Sequence, residues 1–404
     1  MTGDVMRRSL QFGALAACAL IVVACGKDTA DDAKSAGTST TTTQPPPAPA
    51  VSPALLDAGA YPTKPRPPLG MSGNAATGAL VESSRMADLV VGPWQADDKL
   101  ITPYLSSFYV INTPDVLLQL GSEAVAAAAR RHALIGGFAS ARQDTDKTVL
   151  VNAVLRFPDP AAAAAASTEM GAAATGQPIK GITATPLSIP VHPDAVASSY
   201  PFTPQGSSQA RATVRSFTPH GPYVLMQFAQ AIDGLDSATA LVAKTIDAQG
   251  PRIDQFTPTA DLAAVPLDAT GLLARTLPDG AGGTAKNAVY GRHGAEHFQS
   301  NPIGSERLFS DAGVSEVAMG STNVYQAKDE ASAKTVTNEF SQEVSSGGTA
   351  PAGTVTALPD SHCWTLPKAF YCVAPAGRYA IEVQGGQLLD VHQQLAAQYV
   401  MLTT

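Results

Sequence analysis

The sequence predicts an α+β protein made of two related domains in tandem, each an antiparallel sheet with packed helices, behind a signal peptide and a disordered stalk. Three observations predict this. The same order of helix-period and strand-period segments occurs twice along the chain. In both copies a strand-like run passes into a helix opened by an aspartate, Asp159 in one and Asp329 in the other, and both copies close on a helix containing Ala-Gln, at Ala248-Gln249 and Ala397-Gln398. An aspartate at a helix start caps free N–H groups and meets the positive end of the helix dipole. Two periods recurring in one order mark a duplicated unit. At 404 residues, 45% of them apolar, the chain is long and apolar enough to fill two cores.

The N-terminus reads as a targeting segment. In MRRSLQFGALAACALIVVACG, Arg7 and Arg8 precede an apolar run from Leu10 to Ala24 that is short for a membrane span. The run ends in Val22, Val23, Ala24, Cys25 and Gly26, which resembles a bacterial lipobox. The resemblance implies that residues 1–24 are a lipoprotein signal peptide and that Cys25 becomes the acylated first residue of the mature chain. Its palmitate-type chains would contribute about 0.8 kcal/mol per buried methylene. It also implies a protein lipid-anchored on the extracytoplasmic face of the bacterial plasma membrane. Residues 25–54 are rich in Thr, Pro and Ala and short of large apolar residues, as expected of a disordered stalk. About 28 residues of such coil reach roughly 30 Å, and the threonines allow O-linked sugars.

The first domain, 55–259, is expected to run through a helix at SEAVAAAARRHAL, a strand at TVLVNAVLRF and a helix opened by PDPAAAAAASTEMGAA. Strands at ITATPLSI, ARATVRSF and YVLMQFAQAI follow, then the closing helix DSATALVAKTIDAQGPRIDQF. The second, 260–404, repeats this with a short helix near GSERLFSDAG, a strand VAMGSTNVYQA and a helix KDEASAKTVTNEFSQEV. Strand-like TVTALP, HCWTL and AFYCVAPAGRYAIEV come next, then the helix QLLDVHQQLAAQYVML. Turn residues in TPTADLA separate the two.

Removing the signal discards Cys18, lipidation uses Cys25, and Cys363 and Cys372 remain. They flank a tight Leu366-Pro367-Lys368 turn, so a cross-strand disulfide is geometrically plausible and fits an oxidising compartment, with two buried free thiols as the alternative. Loss of two arginines and one aspartate with residues 1–24 moves the net charge from −8 to −9, and no basic patch with interleaved aromatics appears, so nucleic acid is excluded as a partner.

The segments LDAGAYPTKPRPPLG, ESSRMADLVVGPW, GFASARQDTDKTVLVNAVLRFPDPAAAAAA, LDATGLLARTLP and GRYAIEVQGGQLLDVHQQLAAQYVML occur in this order. They resemble an uncharacterised family of two-domain lipoproteins from mycolic-acid-bearing actinobacteria. The resemblance implies a location and a two-domain layout, and brings no catalytic residue or ligand.

The candidate chemistry centres on AVYGRHGAEHFQS, where His293, Glu296 and His297 stand in the HxxEH order of an inverted zinc-protease site. On a helix both imidazoles would share a face and hold one Zn²⁺, with Glu296 polarising its water. Against this, Gly291 and Gly294 weaken a helix, Pro302 follows, and the alternation of residues 289–293 also fits an extended segment, on which positions four apart are about 13 Å apart. The downstream carboxylates Glu330, Glu339, Glu343 and Glu382 stand in no third-ligand motif.

No GxSxG elbow or Walker-type loop is present; Asp360, Ser361 and His362 are sequence neighbours, which rarely form a triad. Glu82 and Arg85 suit a helix-face ion pair, and Trp94, Tyr104, Phe108 and Tyr109 suit either core or a pocket wall. The expectation is therefore a non-enzymatic envelope binding or assembly factor without cofactor, taking an apolar envelope lipid or a protein partner. A zinc hydrolase on His293, Glu296 and His297 is the alternative, and a structural spacer or sensor a third reading.

Overall fold

The structure, a computed structural model, describes residues 51–178, 181–205, 208–281 and 283–404. The expected signal peptide, the expected lipidation site Cys25 and the expected stalk up to residue 50 lie outside the described residues.

The first half opens with helix α1 (Ala75–Met86) and the single turn α2 (Pro93–Ala96). It continues through β1 (Thr102–Ile111), α3 (Glu123–Arg131), β2 (Gly136–Asp144), β3 (Thr148–Arg156) and α4 (Pro160–Gly176). Strands β4 (Thr185–Ile189), β5 (His192–Phe202), β6 (Arg211–His220) and β7 (Tyr223–Ala231) lead to α5 (Leu235–Ile253). The sheet order is β1-β2-β3-β7-β6-β5-β4, antiparallel at every pairing. Asp159 caps α4, accepting from the Ala162 N–H at 2.8 Å, with Pro160 at the first helical position. Gly171 lets α4 lie close on β5, since a Cβ there would stand 2.3 Å from Val196 Cγ1.

The second half comprises β8 (Ala288–Gly291), α6 (Arg292–Glu296), α7 (Pro302–Asp311), β9 (Glu316–Met319), β10 (Thr322–Gln326) and α8 (Glu330–Ser346). After it come β11 (Ala350–Pro351), β12 (His362–Leu366), β13 (Ala369–Ala376), β14 (Tyr379–Gly385) and α9 (Leu388–Thr403). Its order, β8-β9-β10-β14-β13-β12-β11, repeats the first half strand for strand, and Asp329 caps α8 as Asp159 caps α4. The chain is thus α+β with a duplicated antiparallel unit.

Some elements depart from expectation. VAMGSTNVYQA is a hairpin of two strands turning at Gly320-Ser321, and AFYCVAPAGRYAIEV turns at Gly377-Arg378, with Gly377 at φ +55°. TVTALP is no strand: the Ser361 hydroxyl holds it as a turn, accepting from the Val355 N–H and donating to the Leu358 carbonyl. Strands β1, β2 and β5 were not expected. Leu105 and Ser107 in β1 have φ of 51° and 67° and shift its register, which breaks the period-two pattern by which strands are read.

Alternation along the strands gives each sheet two packed faces. In the first, Tyr109, Ala139, Val151, Leu155 and Phe217 meet α3 and α4, whereas Leu150, Val214 and Leu225 face α5, and Val110 and Phe138, on that same side of the sheet, lie toward α1, α2 and the second half. In the second, Val317, Tyr325, Tyr371 and Val373 share a core with Phe309 of α7 and Val336 of α8, while Ala318, Val324, Cys372 and Ile381 lie under α9. The α5 face of the first half and the α8 face of the second belong to one continuous core, which runs across the junction. Residues 51–71 run over the second half, where Val51, Leu56 and Leu69 cover its α9-side core and Arg66 donates to the Leu273 carbonyl at 2.6 Å.

Candidate functional site

The HxxEH stretch lies where the two halves meet. Strand β8 runs into the one-turn helix α6, and the Asp88 carboxylate of the first half caps that helix from across the junction, accepting from Gly291 N–H at 2.9 Å and Gly294 N–H at 2.8 Å. The glycines that weaken helix propensity here make room: a Cβ on Gly291 would lie 2.4 Å from Asp88 Oδ1.

His293 and His297 continue the junction. His297, wholly buried, has Nε2 3.0 Å from the Ala87 carbonyl, so that nitrogen carries the proton, and Nδ1 2.9 Å from the Ser140 hydroxyl. Burial holds its pKa well below the ordinary histidine value, reinforced by His293 nearby and opposed by the hydrogen bond to Ala87. His293 has a partner at both nitrogens, the Val90 carbonyl 3.0 Å from Nε2 and Glu296 Oε2 2.7 Å from Nδ1. Arg142 of β2 donates to the His297 and Gln299 carbonyls at 2.8 Å each, closing the far end of α6, and lies over the Trp94 ring. Burial lowers its pKa to about 10.

All four imidazole nitrogens of the motif therefore have protein partners, and a zinc ligand needs a free ring lone pair. Among the described residues, the one group of three or more His, Cys, Asp or Glu ligand atoms within 4.8 Å of one another is Cys363, Cys372 and His392. Its two cysteines are joined as a disulfide, as register partners in β12 and β13.

The segment 87–91 is gripped from both sides. Ala87 and Val90 turn to the second half, while Leu89 O and Val91 N–H are held by the side-chain amide of Gln249 on α5, at 2.8 Å each. Gln249 Oε1 also accepts from Asn152 Nδ2 at 2.7 Å. The second half repeats the device: Gln398 on α9 takes the Leu277 N–H at 2.8 Å and the Thr322 hydroxyl at 2.6 Å, and donates to the Arg275 carbonyl at 2.7 Å. The two Ala-Gln pairs of the sequence are these buried clamps.

Beside the junction lies a cavity of about 760 Å³, walled by α1, residues 66–69, the connection 266–278, residues 283–287, β8 and Glu316. Leu69, Leu80, Val81, Leu267, Leu273 and Val289 line it, so its character is apolar, and its size falls within the range of small-molecule sites. Arg66, Lys286 and Glu316 are on its wall. Burial lowers the pKa of Arg66, opposed by Asp268, and that of Lys286, opposed by Glu382 and Asp279; it raises that of Glu316.

Other candidates take structural places. Glu82 is buried and accepts from Arg85, from Arg156 at 3.0 Å and from the Thr259 N–H and hydroxyl, tying α1 to β3 and the end of the first half. Asp360, Ser361 and His362 form no triad, since the Ser361 hydroxyl belongs to its turn. The aromatic group divides: Phe108 meets Phe298 across the junction at 4.2 Å, Tyr109 lies on the opposite face of β1, and Trp94 packs on His297 at 5.1 Å. Sequence reading missed Arg66 and Lys286 because neither stands in a motif, and only the fold brings residues 66, 80 and 289 to one wall.

No curated protein matches the chain. Among solved structures, the extracellular domain of PknH from Mycobacterium tuberculosis is similar over 42% of this chain and 96% of its own, at 13% identity and a TM-score of 0.28, too low to carry an argument. Residues 69–267 match the N-terminal model, and 272–404 the C-terminal model, of a domain of unknown function, DUF7373. Together the matches meet at the connection between the two sheets and take in both, so the chain is a member of the two-domain DUF7373 family.

Proposed function

We propose that the protein is a membrane-tethered extracytoplasmic lipoprotein that acts without catalysis, as a binding or assembly factor of the cell envelope, and that the junction cavity holds the apolar part of its ligand. The observation that carries this reading is the cavity itself: about 760 Å³, apolar in lining, and built jointly by both halves and the segment that straps them. The cross-strand disulfide Cys363–Cys372 supports an oxidising compartment. The Cys25 motif supports a lipid anchor there. The protein partners of the His293 and His297 nitrogens favour this reading over the zinc-hydrolase alternative.

Two measurements test the reading. Growth with alkynyl palmitate should label the wild-type protein and leave Cys25→Ala unlabelled; equal labelling removes the proposed anchor. The unacylated full chain, Cys25→Ala, should bind Nile red saturably at one site and release it to hexadecanol. Linear, unsaturable partitioning of the dye would remove the cavity from the account.

A further inference from the structure

The polar groups on the cavity wall point to a narrower class of ligand. Arg66 and Lys286 stand on a mainly apolar wall, and among the described residues neither makes an ion pair. Arg66 donates through Nη2 to the Leu273 and Thr276 carbonyls, and its buried Nε has no hydrogen-bond partner. Lys286 donates to Asn323 Oδ1 at 3.2 Å, which uses one of its three N–H groups. The third cation of the wall, Arg85, is paired with Glu82 and is set aside. Glu316 is the carboxyl group on the wall, and burial favours its neutral form. Asp268, Asp279 and Glu382 lie near enough to be felt by these cations but make no ion pair with them.

A partly desolvated cation without an ion pair is stabilised when something bound beside it carries the opposite charge. An apolar ligand alone would leave Lys286 and Arg66 as they are; a chain ending in an anion would fill the cavity and compensate them together. We propose that the junction cavity takes a long-chain anionic amphiphile, its chain against Leu80, Val81 and Val289 and its carboxylate or phosphate facing Lys286 and Arg66. This rests on the reading of the cavity as an apolar ligand site and adds the charge of the headgroup.

The test displaces Nile red from the full-length Cys25→Ala chain with palmitate, lysophosphatidate and hexadecanol, at fixed pH and salt. A charge-assisted headgroup contact predicts that one of the anions binds about tenfold or more tighter than hexadecanol, and which of them does so tells a carboxylate from a phosphate source. Lys286→Gln, which keeps a donor for Asn323, should bring that anion to within about threefold of hexadecanol, and Lys286→Arg should retain the preference. Equal binding of all three probes overturns the anion proposal and leaves the apolar cavity standing. Failure of every probe to displace the dye overturns the cavity reading as well. An anion preference unchanged in a folded Lys286→Gln protein places the headgroup elsewhere and overturns the proposal.

Discussion

His297 Nε2 in the second half lies 3.0 Å from the carbonyl oxygen of Ala87 in the first, with the ring wholly buried. An imidazole in that place is a donor to one half and an acceptor from the Ser140 hydroxyl, and it fills both roles only while neutral. Its folded pKa is held well below 6.5 by burial, so the unfolded chain binds the proton more readily. Stability from this group is fully present above about pH 6.5 and is lost as pH falls, at up to about 1.4 kcal/mol per pH unit. Comparing urea unfolding of wild type and His297→Gln between pH 7 and 5 checks this: the variant should be less stable at pH 7 and show a shallower fall. Parallel pH dependences would contradict it.

Asp88 and the glycines of the motif make a second prediction. With Asp88 Oδ1 2.4 Å from where a Gly291 Cβ would be, Gly291→Ala must push the cap away and should cost about 2 kcal/mol or more despite alanine's better helix propensity. Gly280 has open space around it, and Gly280→Ala should leave the melting temperature nearly unchanged. Thermal unfolding of the two variants side by side separates a packing requirement from a general glycine effect.

Gln249 and Gln398 do the same work in the two halves. Replacing either by leucine leaves a backbone N–H and a carbonyl without their side-chain partner and takes one hydrogen bond from a neighbouring side chain, Asn152 or Thr322, at an expected cost of about 2–4 kcal/mol. The Gln249 change should also loosen the junction, because residues 87–91 carry the contacts to both histidines. Hydrogen exchange should therefore show α6 losing protection in Gln249→Leu and keeping it in Gln398→Leu.

The duplication was legible in the sequence because it rests on local signals: the Asp159 and Asp329 caps and the periods of the helices that follow them. The Ala-Gln pairs were visible as a repeat, yet their purpose was not, since a buried amide clamp exists only once the segment before the first strand is laid across the helix. The HxxEH letters marked the junction but not what their side chains meet there. Their spacing is set by a helical turn in either case, and the partners that favour a latch over zinc are Asp88, Ala87, Val90 and Ser140, all about 150–210 residues away along the chain. Strand β1 was hidden by the bulge at Leu105 and Ser107.

Metal analysis follows directly from that geometry. Protein purified without chelators should carry less than about a tenth of an equivalent of zinc, and added zinc should not raise its melting temperature. Stoichiometric zinc that is lost in His293→Ala would restore the hydrolase alternative.

The central claim is that the space between α1 and β8 is a ligand site. Val81 and Val289 line it, and a tryptophan at either position would fill it. Titration of Nile red into the unacylated full chain and into its Val81→Trp and Val289→Trp variants is the most direct test. The account predicts saturable binding to the parent and at least about a tenfold loss in both variants, with each still unfolding cooperatively. Undiminished binding in both variants would contradict it.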